Sequence, residues 1–406
     1  MNGIIVVKWG GSCLSSPENV LLAAKKVLRE VQRKRRVIVV VSALAGVTDQ
    51  LLSYINKSMS DSVVKEDLDE ILSMGERTSA RIMASSLKSL GMKAVEIDPT
   101  SNLWPIFTDS QFGNANIKMK ETKGAVNKRI IPLLLEEKIP VIGGFIGLSP
   151  EGKITTLGRG GSDLTAVVLG NCVDAEEVIF VKDVEGILSA DPKKVSDTQK
   201  IESLDIDAAY SLVAAGAKII QPKALIYKKD NMVLRVVGFD ALDLSGGTII
   251  TGELETGLNA KLFSSPLSMI TLITHNSSLE NVSRILSAVS TVNGEMLGLT
   301  VSPTSILLYI YNPSNLVQQL HEMIREEEIA KAIHCVDSLA MITVSGYGIE
   351  NIPGIIDIVV SPLSKENVNL YGAFTISSSI TIFVPWNERE KALSSVNDVL
   401  NKYKKM

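Results

Sequence analysis

Histidine is nearly absent. The 406 residues hold three, His275, His321 and His334, all in the last third. Any chemistry in the first two thirds must therefore proceed without imidazole. Cysteine is equally scarce: Cys13, Cys172 and Cys335 are far apart and odd in number, with no C-x-x-C or Cys/His metal spacing. A disulfide framework is excluded, no metal site built from side chains is expected, and a reduced, cytoplasmic setting is the natural reading. Long apolar runs are missing too. Stretches such as Ile139 to Leu148 fall well short of the ~20 residues of a membrane span, and the N-terminal apolar run is too short for a signal peptide. Finally, no charge sign dominates. Lys plus Arg number 41 against 45 Asp plus Glu, a formal net charge of -4. Nucleic acid or an anionic membrane would meet no basic field.

What is present is an ordinary folding composition, 45% hydrophobic and 21% charged, over a length that implies more than one domain. The runs Ile4-Ile5-Val6-Val7 and Val37 to Val41 read as strands buried on both faces, the mark of a parallel sheet covered by helices. Between them, Ser16 as N-cap and Pro17 in the first turn open a helix with apolar residues from Val20 to Val31 at helical spacing. This is a right-handed βαβ unit. Helices are expected over about Val63 to Leu90, Ala125 to Glu137, Leu164 to Cys172, Ile206 to Ala215 and Ala217 to Tyr227. Strands are expected at Pro140–Ile146, Ile154–Leu157, Val178–Val181 and Val233–Val237.

After Leu262 the pattern changes to βαββαβ in about 70 residues, a small α+β sandwich, and then partly repeats. Its closing strand, Ala332–Val336, is followed by the opening strand of the second copy, Ala340–Ser345. The second copy lacks one strand. The segment Ala260–Ser264 would supply it if the first copy is inserted into the second.

Chemistry points to three glycine-rich loops, Gly10-Gly11-Ser12, Gly143-Gly144 and Gly158 to Asp163, each expected between a strand and a helix. Glycine lets backbone approach an anion, and a helix N-terminus favours negative charge. The spacing matches neither the lysine-ended P-loop nor the dinucleotide fingerprint.

These residues carry a resemblance to aspartate kinases. Lys8-Trp9-Gly10-Gly11-Ser12 resembles their K-F-G-G-T/S signature, and Val40 to Thr48 their V-V-S-A-x-x-x-V-T loop. Met74-Gly75-Glu76-Arg77 is similar to their G-E helix, with Thr108 to Gly113 behind it. Gly144-Phe145-Ile146-Gly147 and Thr156 to Asp163 match the most diagnostic segment. Asp183-Val184-Glu185-Gly186 and Gly216-Ala217-Lys218 follow in family order.

The resemblance implies an amino-acid-kinase-like (carbamate-kinase-like) α/β fold, a three-layer α/β/α domain with a mainly parallel sheet over residues 1–258. Two ACT-like βαββαβ domains would follow, 259–337 (inserted) and 338–406. It implies ATP-dependent phosphorylation of L-aspartate to 4-phospho-L-aspartate, opening lysine, methionine and threonine synthesis. Mg2+ would arrive with the nucleotide, and a homodimer or higher homo-oligomer would form through the ACT-like domains.

On that resemblance Lys8 and Asp163 are catalytic, Asp163 by orienting lysines. Arg159 grips the substrate α-carboxylate, and Glu76 receives its α-ammonium. Thr48 and Ser162 are neutral donors, Ser42 supports its loop, and Phe145, Gly160 and Gly161 complete the substrate site. Nucleotide contacts fall to Lys8, Gly10, Gly11, Ser12, Lys182, Asp183, Leu188, Lys193, Lys218 and Ile219. Here Lys182 stands where the family has Thr, Leu188 where it has an aromatic, and Lys193 where it has Arg.

An effector loop is expected at Tyr347, Gly348, Ile352, Pro353 and Gly354. The first repeat has His275-Asn276-Ser277-Ser278 there, without Gly or Pro, and Ser377-Ser378-Ser379 lacks the family's Glu. Weak or absent lysine and threonine feedback is expected. Two other readings stand beside this one: another small-molecule kinase of the superfamily, or a non-catalytic amino-acid sensor.

Overall fold

The computed structural model describes residues 3–58, 64–254, 257–275, 277–292, 294–349, 352–376 and 378–403. Val63, Asn276 and Ser377, named above, lie outside them. Two compact units divide at 254/255.

The N-terminal unit is built on an eight-stranded sheet. Its spatial order is Ser203–Asp205, Thr248–Thr251, Val233–Gly238, Glu177–Lys182, Ile4–Trp9, Arg36–Val41, Ile139–Gly143 and Ala94–Ile97. The six strands from Val233–Gly238 to Ala94–Ile97 are parallel, and Thr248–Thr251 runs against its neighbour Val233–Gly238. Ile4–Trp9 lies at the centre, with the next strand in sequence on one side and Glu177–Lys182 on the other. Strand order reverses there, so loops at the carboxyl ends diverge and leave a crevice.

Alternation along the first strand decides which side chain faces which layer. Ile5, Val7 and Trp9 join the core with Ala23, Ala24 and Val27 of helix Pro17–Gln32 and Met83 and Leu87 of helix Lys65–Ser89. Val6 and Lys8 face the other way. Helix Gly161–Cys172 packs on that strand and its neighbours, and eleven of its twelve residues are buried. It is apolar nearly all round because it is covered on every side. The first helix begins as the sequence predicts, with Ser16 accepting from the Asn19 N–H and Pro17 in the first turn.

Four local expectations need correction. The helix expected over Ala125–Glu137 is two, Met119–Arg129 and Ile131–Leu135, because Pro132 lacks the N–H that a continuous helix needs. Of the helix expected over Ala217–Tyr227 only Pro222–Leu225 forms, after Gly216 has turned the chain at φ 102°. Gly143-Gly144 leads into a strand, Ile146–Leu148, since Phe145 at φ 69° breaks the chain direction. The Gly10-Gly11-Ser12 loop is itself a four-residue 3-10 turn, Gly11–Leu14, which intervenes before helix Pro17–Gln32 begins.

The C-terminal unit is one antiparallel sheet carrying helices. Its path runs Glu295–Ser302, Ser305–Tyr311, Leu267–Ile273, Ala332–Ser345, Ser379–Pro385, Gly372–Ile376. The two strands expected at 332–336 and 340–345 are one strand of 14 residues. Its first half pairs with Leu267–Ile273, through a register shift. Its second half pairs with Asn259–Leu262 on one edge and Ser379–Pro385 on the other. Each half has its own core, one around Ile270, Leu308 and Leu320, the other around Ile342, Ile382 and Val396. Tyr309 stacks on Phe383 at 3.8 Å between ring centres and joins the two halves.

Candidate active site

Lys8 is the next-to-last residue of the central strand, and its side chain is 8% exposed. An ammonium there needs a partner, and Asp163 supplies it, with Nζ 2.8 Å from Oδ1. Asp163 sits in the first turn of Gly161–Cys172, a helix entered through Gly160 at φ 77°. Lys182, at the end of Glu177–Lys182, approaches the other oxygen, Oδ2, at 3.4 Å. Burial alone would raise the Asp163 pKa, but the two ammonium groups outweigh it and hold the carboxyl below its ordinary value. Burial also lowers the pKa of the Lys182 amine.

Glu76 faces the same crevice from helix Lys65–Ser89. Its Oε1 accepts from the Ala43 N–H at 3.1 Å, while Oε2 is buried without a partner. Burial pushes its pKa up to about 7, against opposing pulls from that hydrogen bond and from Lys8. Gly75 permits this closeness: a Cβ there would lie 2.8 Å from the Ala43 Cβ. Gly144 is similarly fixed, since its Cβ would meet that of Ser162 at 2.6 Å. The Phe145 N–H is held by Thr165 Oγ1 at 3.1 Å, which ties that loop to the helix bearing Asp163.

Lys8, Asp163, Glu76 and Phe145 line one cavity of about 490 Å³. Lys8, Asp163, Glu76 and Arg159 bring charge to its wall; Ser42, Thr48 and Ser162 bring hydroxyls; Phe145, Gly160 and Gly161 close it. Arg159 is exposed and forms no ion pair among the described residues. The remaining candidates lie elsewhere. Gly10, Gly11, Ser12 and Lys182 adjoin the central strand ends without lining that cavity. Asp183, Lys193 and Lys218 are exposed, and Leu188 and Ile219 half-buried. In the C-terminal unit Gly348 has φ 74° and Gly354 caps helix Ile355–Lys365 at φ 76°. Tyr347 and Ile352 are half-buried there, and Pro353 exposed.

Asp69 is the site residue that sequence reasoning missed. It is fully buried and lines the cavity. Its Oδ2 accepts from Gly113 N–H at 2.9 Å and Thr156 N–H at 2.8 Å, and Oδ1 from Thr156 Oγ1 at 2.7 Å. It thus ties the Gly113 loop and the end of strand Ile154–Thr156 to the helix that carries Glu76. A signal existed: Asp69 precedes Glu76 by two helical turns, so both project from one face.

A sequence profile described as the amino acid kinase family matches residues 3–238. The chain belongs to that family. Over 376 residues it is 31% identical to the aspartokinase of Geobacillus stearothermophilus, covering 91% of this chain and 90% of that protein. It is 28% identical to aspartokinase 2 of Bacillus subtilis (strain 168) over 405 residues, 98% of this chain and 97% of that one. Within the family it therefore stands with the aspartokinases.

Solved structures agree on the fold. Aspartate kinase from Synechocystis superposes with a TM-score of 0.77 at 22% identity, covering 98% of this chain and 69% of that one. E. coli aspartokinase III, solved with aspartate and ADP, gives 0.56 at 22% identity, covering 98% and 99%. The fold is the expected one, a mainly parallel amino-acid-kinase sheet followed by an antiparallel region of ACT type.

Proposed function

We propose that the protein is an aspartate kinase, transferring the γ-phosphoryl group of ATP to the side-chain carboxylate of L-aspartate. The observation that carries this reading is the unpartnered Glu76 Oε2 in a cavity that also presents Lys8 and Arg159. A small amino acid offers an ammonium for the first and a carboxylate for the last. Arg159 would grip the α-carboxylate through its planar fork, with Thr48 and Ser162 donating beside it. Ser42 would support its loop, and Phe145, Gly160 and Gly161 the cavity wall.

The acceptor carboxylate, with an ordinary pKa of about 3.9, is ionised at neutral pH and needs no general base. That accounts for a site without histidine. What remains is alignment and neutralisation of an anionic transition state. Lys8 would supply charge to the transferred group, and Asp163 would hold it in place. The Gly10-Gly11-Ser12 loop would lie along the phosphates, and Asp183, Leu188, Lys193, Lys218 and Ile219 would contact the rest of the nucleotide. Mg2+ would be held chiefly by phosphate oxygens and water. Such a hard cation needs oxygen ligands, which phosphates and water supply.

The same reading places the protein in the cytoplasm, at the first step towards lysine, methionine and threonine. It assigns residues 1–258 to the kinase domain, 259–337 to a first ACT-like domain inserted into a second, 338–406. Pairing of Asn259–Leu262 with residues 342–345 supports the insertion. Homo-oligomerisation would use the ACT-like domains. The loop from Tyr347 to Gly354 (Tyr347, Gly348, Ile352, Pro353, Gly354) is the candidate effector site. In the first repeat the Ser277 hydroxyl instead donates to Ser302 C=O at 2.5 Å, at the end of strand Glu295–Ser302, and bonds Thr274 Oγ1 at 3.0 Å. Lysine and threonine feedback is therefore expected to be weak; half-inhibition at sub-millimolar concentration of either would contradict this.

The test is ADP release with ATP, Mg2+ and L-aspartate, with L-glutamate as control. Turnover with aspartate alone is the expected result. Turnover with another acid instead would make this a different kinase of the family, and binding of amino acids without any turnover would make it a sensor.

A further inference from the structure

Lys182 is more than a support for Asp163. In the parallel register Lys8 lies opposite Phe180 and Trp9 opposite Val181. Residues two apart on a strand share a face, so Lys182 emerges on the same face as Lys8, one step further towards the crevice. Both ammonium groups reach the same carboxylate, at 2.8 Å and 3.4 Å, with side chains 8% and 18% exposed. Asp163 can neutralise one of them. The constellation is left with an excess positive charge in a largely dry place, an arrangement that is costly unless an anion returns to it.

Other charges near Lys182 do not remove the excess. Asp183 follows it in sequence and attracts the Lys182 ammonium, but it is exposed and water screens the attraction. Burial favours the neutral form of Glu76. Beside Lys182 the Gly10 N–H donates to Val181 C=O, which fixes the Gly10 turn against the end of the strand that carries Lys182.

We propose that Lys182 is a second catalytic cation that touches the transferred phosphoryl group, with Asp163 acting as the spacer that sets the Lys8 and Lys182 ammonium groups on either side of it. This rests on the kinase reading and deepens it. The two lysines would neutralise oxygens of a group that gains no proton and loses its bond to the nucleotide as it bonds to the acceptor carboxylate. A cation that acts on this group, and not on the adenosine or the inner phosphates, must distinguish nucleotides that carry a third phosphate from those that do not.

The experiment compares Lys182→Met, Lys182→Thr and Lys182→Arg with the unaltered full-length protein. Affinities for ADP and for a non-hydrolysable ATP analogue, both with Mg2+, are measured by calorimetry, and kcat and KM for aspartate by ADP release. Expected for Met and Thr are an about 100-fold loss of kcat, an aspartate KM within about twofold, an unchanged ADP affinity and an about tenfold weaker ATP analogue. Arg restores part of the analogue affinity. Equal weakening of ADP and analogue would overturn the proposal and return Lys182 to the general nucleotide contacts. So would kcat within about threefold of the unaltered protein.

Two folding backgrounds guard the result: if Met unfolds, Thr still removes the charge with a smaller, polar side chain. Because the two affinities are read without turnover, failure of the aspartate reading leaves this test intact, and a normal aspartate turnover with equal nucleotide losses sinks only the Lys182 proposal.

Discussion

The two sides of the N-terminal unit's crevice are built differently. On the side assigned to aspartate, Lys8, Asp69, Glu76, Ser162 and Asp163 are buried before any ligand arrives, and Arg159 is exposed. On the side assigned to the nucleotide, Asp183, Lys193 and Lys218 are exposed. A buried charged group is held in place by its partners, whereas an exposed lysine samples many rotamers and interacts through water. Precision in positioning is therefore concentrated where the acceptor and the phosphoryl group would meet. Exposed contacts suit a larger ligand that brings its own binding surface.

Mutations should expose that asymmetry. The largest effect is expected for Lys8→Ala, with kcat reduced about 1000-fold or more and ADP affinity changed little, read by ADP release and calorimetry. Glu76→Gln should raise the aspartate KM by about 10- to 100-fold, since a neutral amide replaces the ammonium's partner.

Glu76 also makes a pH prediction. Its folded pKa of about 7 lies above the ordinary carboxylate value, so between roughly pH 4.5 and 7 the native state holds a proton that the unfolded chain releases. Stability contributed by neutral Glu76 is thus complete below that window and lost as pH rises through it. The loss is on the order of 1–3 kcal/mol. Thermal melts from pH 5 to 8 should show the decline, and Glu76→Gln should flatten it. An unchanged slope in the variant would show that other groups set it.

Asp69→Ala comes next. It leaves two backbone N–H groups without their acceptor and is expected to cost about 2–4 kcal/mol in chemical denaturation while raising the aspartate KM. Asp69→Asn, which can accept both N–H groups and donate to Thr156 Oγ1, should recover most of both; if it does not, the charge itself matters. The smallest effect belongs to the exposed side. Lys193→Ala should raise the ATP KM by less than about fivefold, and increasing salt should shrink the difference. A loss as large as that of Glu76→Gln would erase the contrast between the two sides.

Much of this was legible in the residues. The apolar runs at 4–7 and 37–41 announced a parallel sheet, and Ser16-Pro17 announced the helix between them. The ordered motifs from Lys8 to Asp163 named many of the residues that line the cavity. Where reading failed, a non-local cause was at work. Residues 332–345 form one strand because two separate partners line its edge in succession, which no local pattern encodes. Asp69 looked like any acid in a charged helix until Gly113 and Thr156, distant in the chain, closed on it. Pro132, in contrast, was a local signal with a known consequence that was there to be read.

By itself the sequence determined the elements, the class of fold and the kinds of side chain available for chemistry. These follow from local backbone preference and from the period of apolar residues, both properties of neighbouring positions. Only the tertiary structure decided that one Glu76 oxygen is left unpartnered and that Asp163 is shared by Lys8 and Lys182. Burial, charge balance and pKa are set by whatever surrounds a group in space, and in this unit those surroundings come from strands and helices far apart along the chain.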